Sequence, residues 1–277
     1  MRSTMTQERD DAYTWFSQGN TLYKIHRYEG AIAKFDKYLK VHPNDHEAWS
    51  RRGYALSKMG AFVEAVRSFD RATTLQPTYS LAWHGRGLAE THMERYEEAI
   101  ACFDKALEQN PDDYKVWYNK GHAFLGQYRY KEAITSFTKA VEIRPDNYRA
   151  WYNRALAMSS LRRYDDSLSS LDTALTIKQT CYYAWNLKGT VLSKLERHDE
   201  AIASFDNALK CVNNNPQAWY GKACAYAAMG QGGEALKSLK RAIIMSPNLY
   251  KVMAQTDDVF DEVRHTVAFQ ALLNTSG

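Results

Sequence analysis

From residue 12 to residue 249 the apolar positions fall on a lattice that repeats every 34 residues. Tryptophan marks it: Trp15, Trp49, Trp83, Trp117, Trp151, Trp185 and Trp219 are all the tryptophans of the chain, each 34 residues after the last. With Trp as the fourth position, the repeats run 12–45, 46–79, 80–113, 114–147, 148–181, 182–215 and 216–249. Positions 3, 4, 8, 11 and 14 form one stripe at helical spacing, and a second stripe follows after a short break. Each repeat therefore predicts two amphipathic helices, over positions 1–14 and roughly 18–31. No stretch reads as a strand.

The columns agree on how the helices meet. Position 8 holds Gly19, Gly53, Gly87, Gly121, Ala155, Gly189 and Ala223; position 20 holds Ala31, Ala65, Ala99, Ala133, Ser167, Ala201 and Ala235. Small residues at these places let two helices approach closely. Position 24 holds Phe35, Phe69, Phe103, Phe137, Leu171, Phe205 and Leu239, which fill the space between them. Gly60 and Gly230 stand where a first helix should end, and Asp45, Ser80, Asp113, Asn147 and Thr180 are expected to cap the next. In the sixth repeat Asn215 takes that part, with Pro216 at the first helical position, where a missing N–H costs nothing. Position 32 is Pro43, Pro77, Pro111, Pro145, Gln179, Asn213 and Pro247.

These residues at this spacing resemble the tetratricopeptide repeat family, whose repeat is also about 34 residues long. The resemblance covers residues 12–249 and implies an all-α, right-handed superhelical solenoid of antiparallel helical hairpins. It leaves residues 1–11 as a flexible N-terminal segment and 250–277 as C-terminal capping helices and tail. Val259, Phe260, Val263, Phe269, Leu272 and Leu273 give that tail an apolar face, and an array needs such a cap over its last hairpin. Repeat five departs from the family pattern at Ala155, Ser167, Leu171 and Gln179, and repeat one at Tyr38, yet each is expected to form its hairpin.

Composition changes this picture little. The chain has 45% hydrophobic and 25% charged residues, as soluble folded proteins do. Its net charge of +4 is too small to imply nucleic acid. No secretory signal or membrane-spanning run occurs, and Cys102, Cys181, Cys211 and Cys224 lack the spacing of a zinc site or disulfide framework. The expectation is a cytoplasmic protein with reduced thiols and no membrane association.

Charge sits in columns. Position 7 is Gln18, Arg52, Arg86, Lys120, Arg154, Lys188 and Lys222, inside the core-facing arc; position 25 is Asp36, Asp70, Asp104, Thr138, Asp172, Asp206 and Lys240. Pairing each acid with the base of the following repeat satisfies five of six junctions, which predicts an ion-pair ladder rather than a ligand column.

The candidate binding surface is the concave face, formed by positions of the first helices that point away from that arc. From the first two repeats it takes Tyr13, Phe16, Asn20, Tyr23, Arg51, Tyr54 and Lys58. From the third and fourth it takes His84, Lys115, Tyr118 and His122, and from the last three Arg149, Tyr152, Tyr183 and Tyr220. Its basic residues face a single acid, Glu47, and its rings are expected to stand exposed. The family's Lys and Asn clamp for a C-terminal carboxylate is absent, because no Lys occupies position 5. His84, His92 and His122 fit no metal-ligand spacing, and no phosphate loop, nucleophile elbow or dinucleotide fingerprint is present.

The expectation is therefore a scaffold or adaptor, not an enzyme, without cofactor or metal, whose groove binds an acidic protein or peptide segment with apolar anchors. Nucleic-acid binding and self-assembly are the alternatives, the former disfavoured by the modest charge. Oligomeric state is left open.

Overall fold

A Cβ placed on Gly53 would lie 2.8 Å from the Phe69 ring, so the first helix of the second repeat rests directly on the aromatic side chain of the second helix. The same relation recurs along the chain. Where position 8 is Gly, position 24 is Phe, and at Ala155 and Ala223 it becomes Leu171 and Leu239. The extra methyl is matched by a smaller partner, which keeps the interior close-packed. In repeat five the buried Ser167 hydroxyl donates to the Ala155 carbonyl at 2.8 Å, so its polar group is satisfied inside the hairpin.

The structure, a computed structural model, describes the backbone of residues 2–274 and the side chains of residues 12–274. It divides into two compact units, Met1–Arg144 and Pro145–Gly277. The first holds four hairpins: α1 (Arg2–Lys24) with α2 (Tyr28–Val41), α3 (His46–Lys58) with α4 (Phe62–Leu75), α5 (Ser80–His92) with α6 (Tyr96–Gln109), and α7 (Tyr114–Gly126) with α8 (Tyr130–Ile143). The second holds three: α9 (Tyr148–Ser160) with α10 (Tyr164–Ile177), α11 (Tyr182–Lys194) with α12 (His198–Cys211), and α13 (Pro216–Ala228) with α14 (Gly232–Met245). Then come α15 (Pro247–Thr256), a 3-10 turn (Asp258–Phe260), α16 (Asp261–Arg264) and α17 (Val267–Asn274). Among the described residues there is no strand. The fold is all-α, tandem helical hairpins of the solenoid class.

Two boundaries differ from expectation. Helix α1 begins at Arg2, so helical backbone runs through residues 2–11, where a flexible segment was expected; the side chains of residues 1–11 lie outside the described residues. The second helices begin one residue earlier than expected, at position 17, because the turn takes only positions 14–16, centred on position 15. That residue has positive φ in every repeat: His26, Gly60, Glu94, Tyr128, Arg162, Glu196 and Gly230. Glycine is the residue suited to this left-handed conformation, yet five repeats place another residue there, at φ of 58–62°. The turn geometry is thus imposed by helix packing on residues that disfavour it.

Caps follow sequence in four cases and depart in two. Asp45, Asp113, Asn147 and Asn215 accept from backbone N–H groups in the first turns of α3, α7, α9 and α13. Ser80 instead lies inside α5, after an uncapping Tyr79, and α11 starts after Cys181 rather than Thr180. The residues after α14 pack on the last hairpin. Phe260 and Phe269 are fully buried with Leu272 and Leu273 against Tyr220, Leu239 and Ile243 of the last hairpin.

Candidate functional site

Successive first helices touch one another within each unit: α1, α3, α5 and α7 in the first, α9, α11 and α13 in the second. Two bonds stitch the first unit's row. Tyr54 donates its hydroxyl to the Leu81 carbonyl at 2.7 Å, and the Asn119 amide meets His84 Nε2 at 2.9 Å. The open side of each row is the candidate surface.

Its rings are less exposed than expected. Tyr13 is exposed, beside His42. Phe16 is half-buried between Phe35 and Tyr38, and Tyr23 lies against Tyr28. Tyr54 stands edge-on to Phe69 at 5.1 Å, and Tyr118 lies between His122 at 4.7 Å and Phe137 at 5.8 Å. In the second unit Tyr152 and Tyr183 meet edge-on at 4.7 Å. Phe16, Tyr54, Tyr118 and His122 touch the core Phe of their own hairpin, which leaves each of them part-covered rather than open. Asn20 is half-buried as well.

Two predicted residues are closed off. Tyr220 is only 7% exposed: its ring packs on Tyr250 and Phe260, and its hydroxyl donates to Asp257 at 3.0 Å. It anchors the C-terminal cap. His84 is buried and bonded to Asn119, and burial lowers its pKa. Burial also lowers that of His122. Among the described residues no three His, Cys, Asp or Glu side chains gather as a metal site.

The cations are open but not all idle. Arg51, Lys58, Lys115 and Arg149 are exposed. Arg51 pairs with Glu47 at 3.0 Å, which neutralises the face's one acid with one of its own bases. Lys115 and Arg149 lie 6.0 and 5.7 Å from the ring centres of Tyr114 and Tyr148. Tyr148 collects several donors: its hydroxyl is held by Tyr183, by Lys178 Nζ at 3.1 Å and by Arg149 Nε at 3.2 Å, which brings its pKa down to about 8. Spacing gave no hint of this cluster, since Lys178 stands 30 residues away in the chain.

The ladder forms at every predicted junction within a unit. Arg52–Asp36 at 2.6 Å, Arg86–Asp70 at 3.0 Å and Lys120–Asp104 at 2.5 Å join hairpins of the first unit. Lys188–Asp172 and Lys222–Asp206, both at 2.5 Å, join those of the second. The position-7 cations also lie over their own helix's Trp, as Lys120 does over Trp117 at 5.1 Å, Arg154 over Trp151 at 5.2 Å and Lys222 over Trp219 at 5.3 Å. Each such Trp sends its indole N–H to the position-32 carbonyl before it, as Trp49 does to Pro43 at 2.8 Å. Gln179 and Asn213 serve Trp185 and Trp219 equally, since a carbonyl is all the bond requires. The column is thus structural, a sandwich of ring, cation and carboxylate.

A row of helical hairpins with one open, ring-bearing face defines a repeat protein of the interaction class. Residues 16–80, 84–148, 118–180, 152–216 and 186–250 match the tetratricopeptide repeat family, and the chain belongs to it. No curated protein matches. Among solved structures, the C-terminal part of a repeat protein from Cytophaga hutchinsonii is 16% identical, with a TM-score of 0.70 over 90% of this chain and 99% of that one. A tetratricopeptide repeat protein from Parabacteroides merdae is 14% identical, with a TM-score of 0.65 over 96% of this chain and 100% of that one. YrrB, described as a tetratricopeptide repeat protein with an unusual peptide-binding site, is 23% identical, with a TM-score of 0.58 over 66% of this chain and 95% of that one. At these identities the likeness is one of fold. Proteins of this family generally mediate protein–protein interactions.

Proposed function

We propose that this protein is a non-catalytic scaffold that binds acidic protein segments with apolar anchors on the open face of its first helices. The observation that carries this reading is that, in each unit, a half-buried ring and an exposed cation stand three residues apart on one first helix: Tyr118 with Lys115 on α7, and Tyr152 with Arg149 on α9. Rings held on one edge by the core offer rigid contact area at little entropic cost. Exposed cations beside them steer an acidic partner and fix its orientation. YrrB's described peptide-binding site supports a peptide as the ligand class. No helix among the described residues is long and apolar enough to cross a membrane. The four cysteines stand as free thiols, which fits the reducing cytoplasm.

Affinity capture with the intact chain and with Tyr118→Ala, Tyr152→Ala and Lys115→Glu variants, analysed by mass spectrometry with and without nuclease, tests the reading. A protein partner retained after nuclease and lost with the first-helix variants is expected. Capture that disappears with nuclease turns the assignment to nucleic acid. Capture of only the chain itself turns it to self-assembly.

A further inference from the structure

The second unit holds a recess of about 700 Å³ that the repeats do not make alone. Its floor is α13, where Gly221 and Ala225 leave the surface low. A Cβ at Gly221 would stand 2.4 Å from Phe205, so the helix lies flat on that ring. One wall is the turn between α11 and α12, with Lys194 and His198. The other is α15, which begins at the end of the seventh repeat and runs beyond it.

Helix α15 is apolar on two faces. Tyr250 and Ala254 are buried against the last hairpin, while Leu249 and Met253, also four residues apart, open into the recess at 54% and 37% exposure. The cap therefore uses one face of its first helix and leaves the other without a partner.

The recess holds one lysine and one acid. Asp257 is its acid, and that carboxylate already accepts from the Tyr220 hydroxyl at 3.0 Å and the Val259 N–H at 3.2 Å. Lys194 makes no ion pair among the described residues, and His198 Nδ1 is shut from solvent with no hydrogen-bond partner. Lys194, without an ion pair, opposite an apolar wall, with small residues between, fits a ligand that is apolar on one side and anionic on the other.

We infer that this recess binds a peptide segment carrying a large apolar side chain flanked by carboxylates. The apolar group lies over Gly221 and Ala225 against Leu249 and Met253, and a carboxylate meets Lys194. This rests on the reading that the first-helix face binds protein segments, and adds that the C-terminal cap supplies half of one subsite.

Two fluorescein-labelled probes, the peptides SGELFESG and SGKLFKSG, distinguish the outcomes by fluorescence anisotropy on the full chain. The acidic probe binds, and the basic probe binds at least about tenfold more weakly. Met253→Asp weakens the acidic probe by about tenfold or more, while circular dichroism melting shows the fold retained. Lys194→Glu reverses the preference between the probes, a charge swap that a merely destabilised cap does not produce. Absence of binding by the acidic probe, or binding indifferent to both variants, overturns the inference. If the acidic probe binds and is lost with Tyr118→Ala but not with Met253→Asp, the first-helix reading stands and the recess fails. If the captured partner ignores all first-helix variants, that broader reading fails instead.

Discussion

Gly53 and Phe69 occupy the same space by turns: the ring lies 2.8 Å from where a Cβ on Gly53 would stand, and the pair recurs with Ala only where the ring has become Leu. Gly53→Ala forces the ring or the helix to shift and costs about 1–3 kcal/mol. Adding Phe69→Leu relieves the clash and recovers most of that loss, as Ala155 with Leu171 does. Chemical denaturation of the single and double variants measures the coupling, which is absent if the two effects simply add.

The ladder is asymmetric in exposure, and this decides which member matters more. Lys222 is 12% exposed at its side chain and Asp206 44%. Asp206→Ala leaves an ammonium held over Trp219 without its counter-ion and costs about 1 kcal/mol. Lys222→Met removes the buried charge and keeps the stem's packing, and is closer to neutral. Equal losses in urea denaturation would show that the pair's attraction, not burial of the cation, governs.

Position 15 allows a stabilising change. Arg162 and Glu196 hold φ of 58° and 59°, where a side chain carries strain. Arg162→Gly and Glu196→Gly should each raise stability by a few tenths to about 1 kcal/mol. Gly60, at φ 79° with nothing within 4 Å of a built Cβ, gives the converse: Gly60→Ala costs about 1 kcal/mol without any clash. Thermal melting of the three variants reads both signs.

His84 makes the first unit acid-sensitive. Burial lowers its pKa, so the unfolded chain takes up the proton first as pH falls. Its contribution to stability is complete above the ordinary histidine value, about 6.5, and drains away as pH drops through the depressed folded value. Denaturant midpoints should fall between about pH 7.5 and about pH 5.5, and His84→Gln should reduce that fall. An unchanged pH profile in the variant would assign the sensitivity elsewhere, with His122 next in line.

On the binding face, Tyr118→Ala and Tyr152→Ala should each weaken the captured partner by about 1–2 kcal/mol. Lys115→Glu should slow association and invert its dependence on salt. Surface plasmon resonance separates the two, since anchors act on dissociation and steering charges on association. Matched changes on the second helices, such as Lys139→Glu, should leave both rates alone.

The sequence by itself determined the period, the two helices per repeat, the close contact of small residues with Phe, the ladder partners and the apolar cap. All of these follow from spacing, because a helix converts sequence interval directly into direction. Tertiary structure alone decided what depends on elements distant in sequence. Tyr220 reads as one more surface tyrosine until Tyr250 and Phe260 close over it. His84 reads as a groove residue until Asn119 of the next hairpin meets it. Glu94, Tyr128 and Arg162 carry no mark of a left-handed turn, because helix packing imposes that backbone on them. The recess beside α15 is likewise invisible in the repeat, since most of one wall comes from beyond the period.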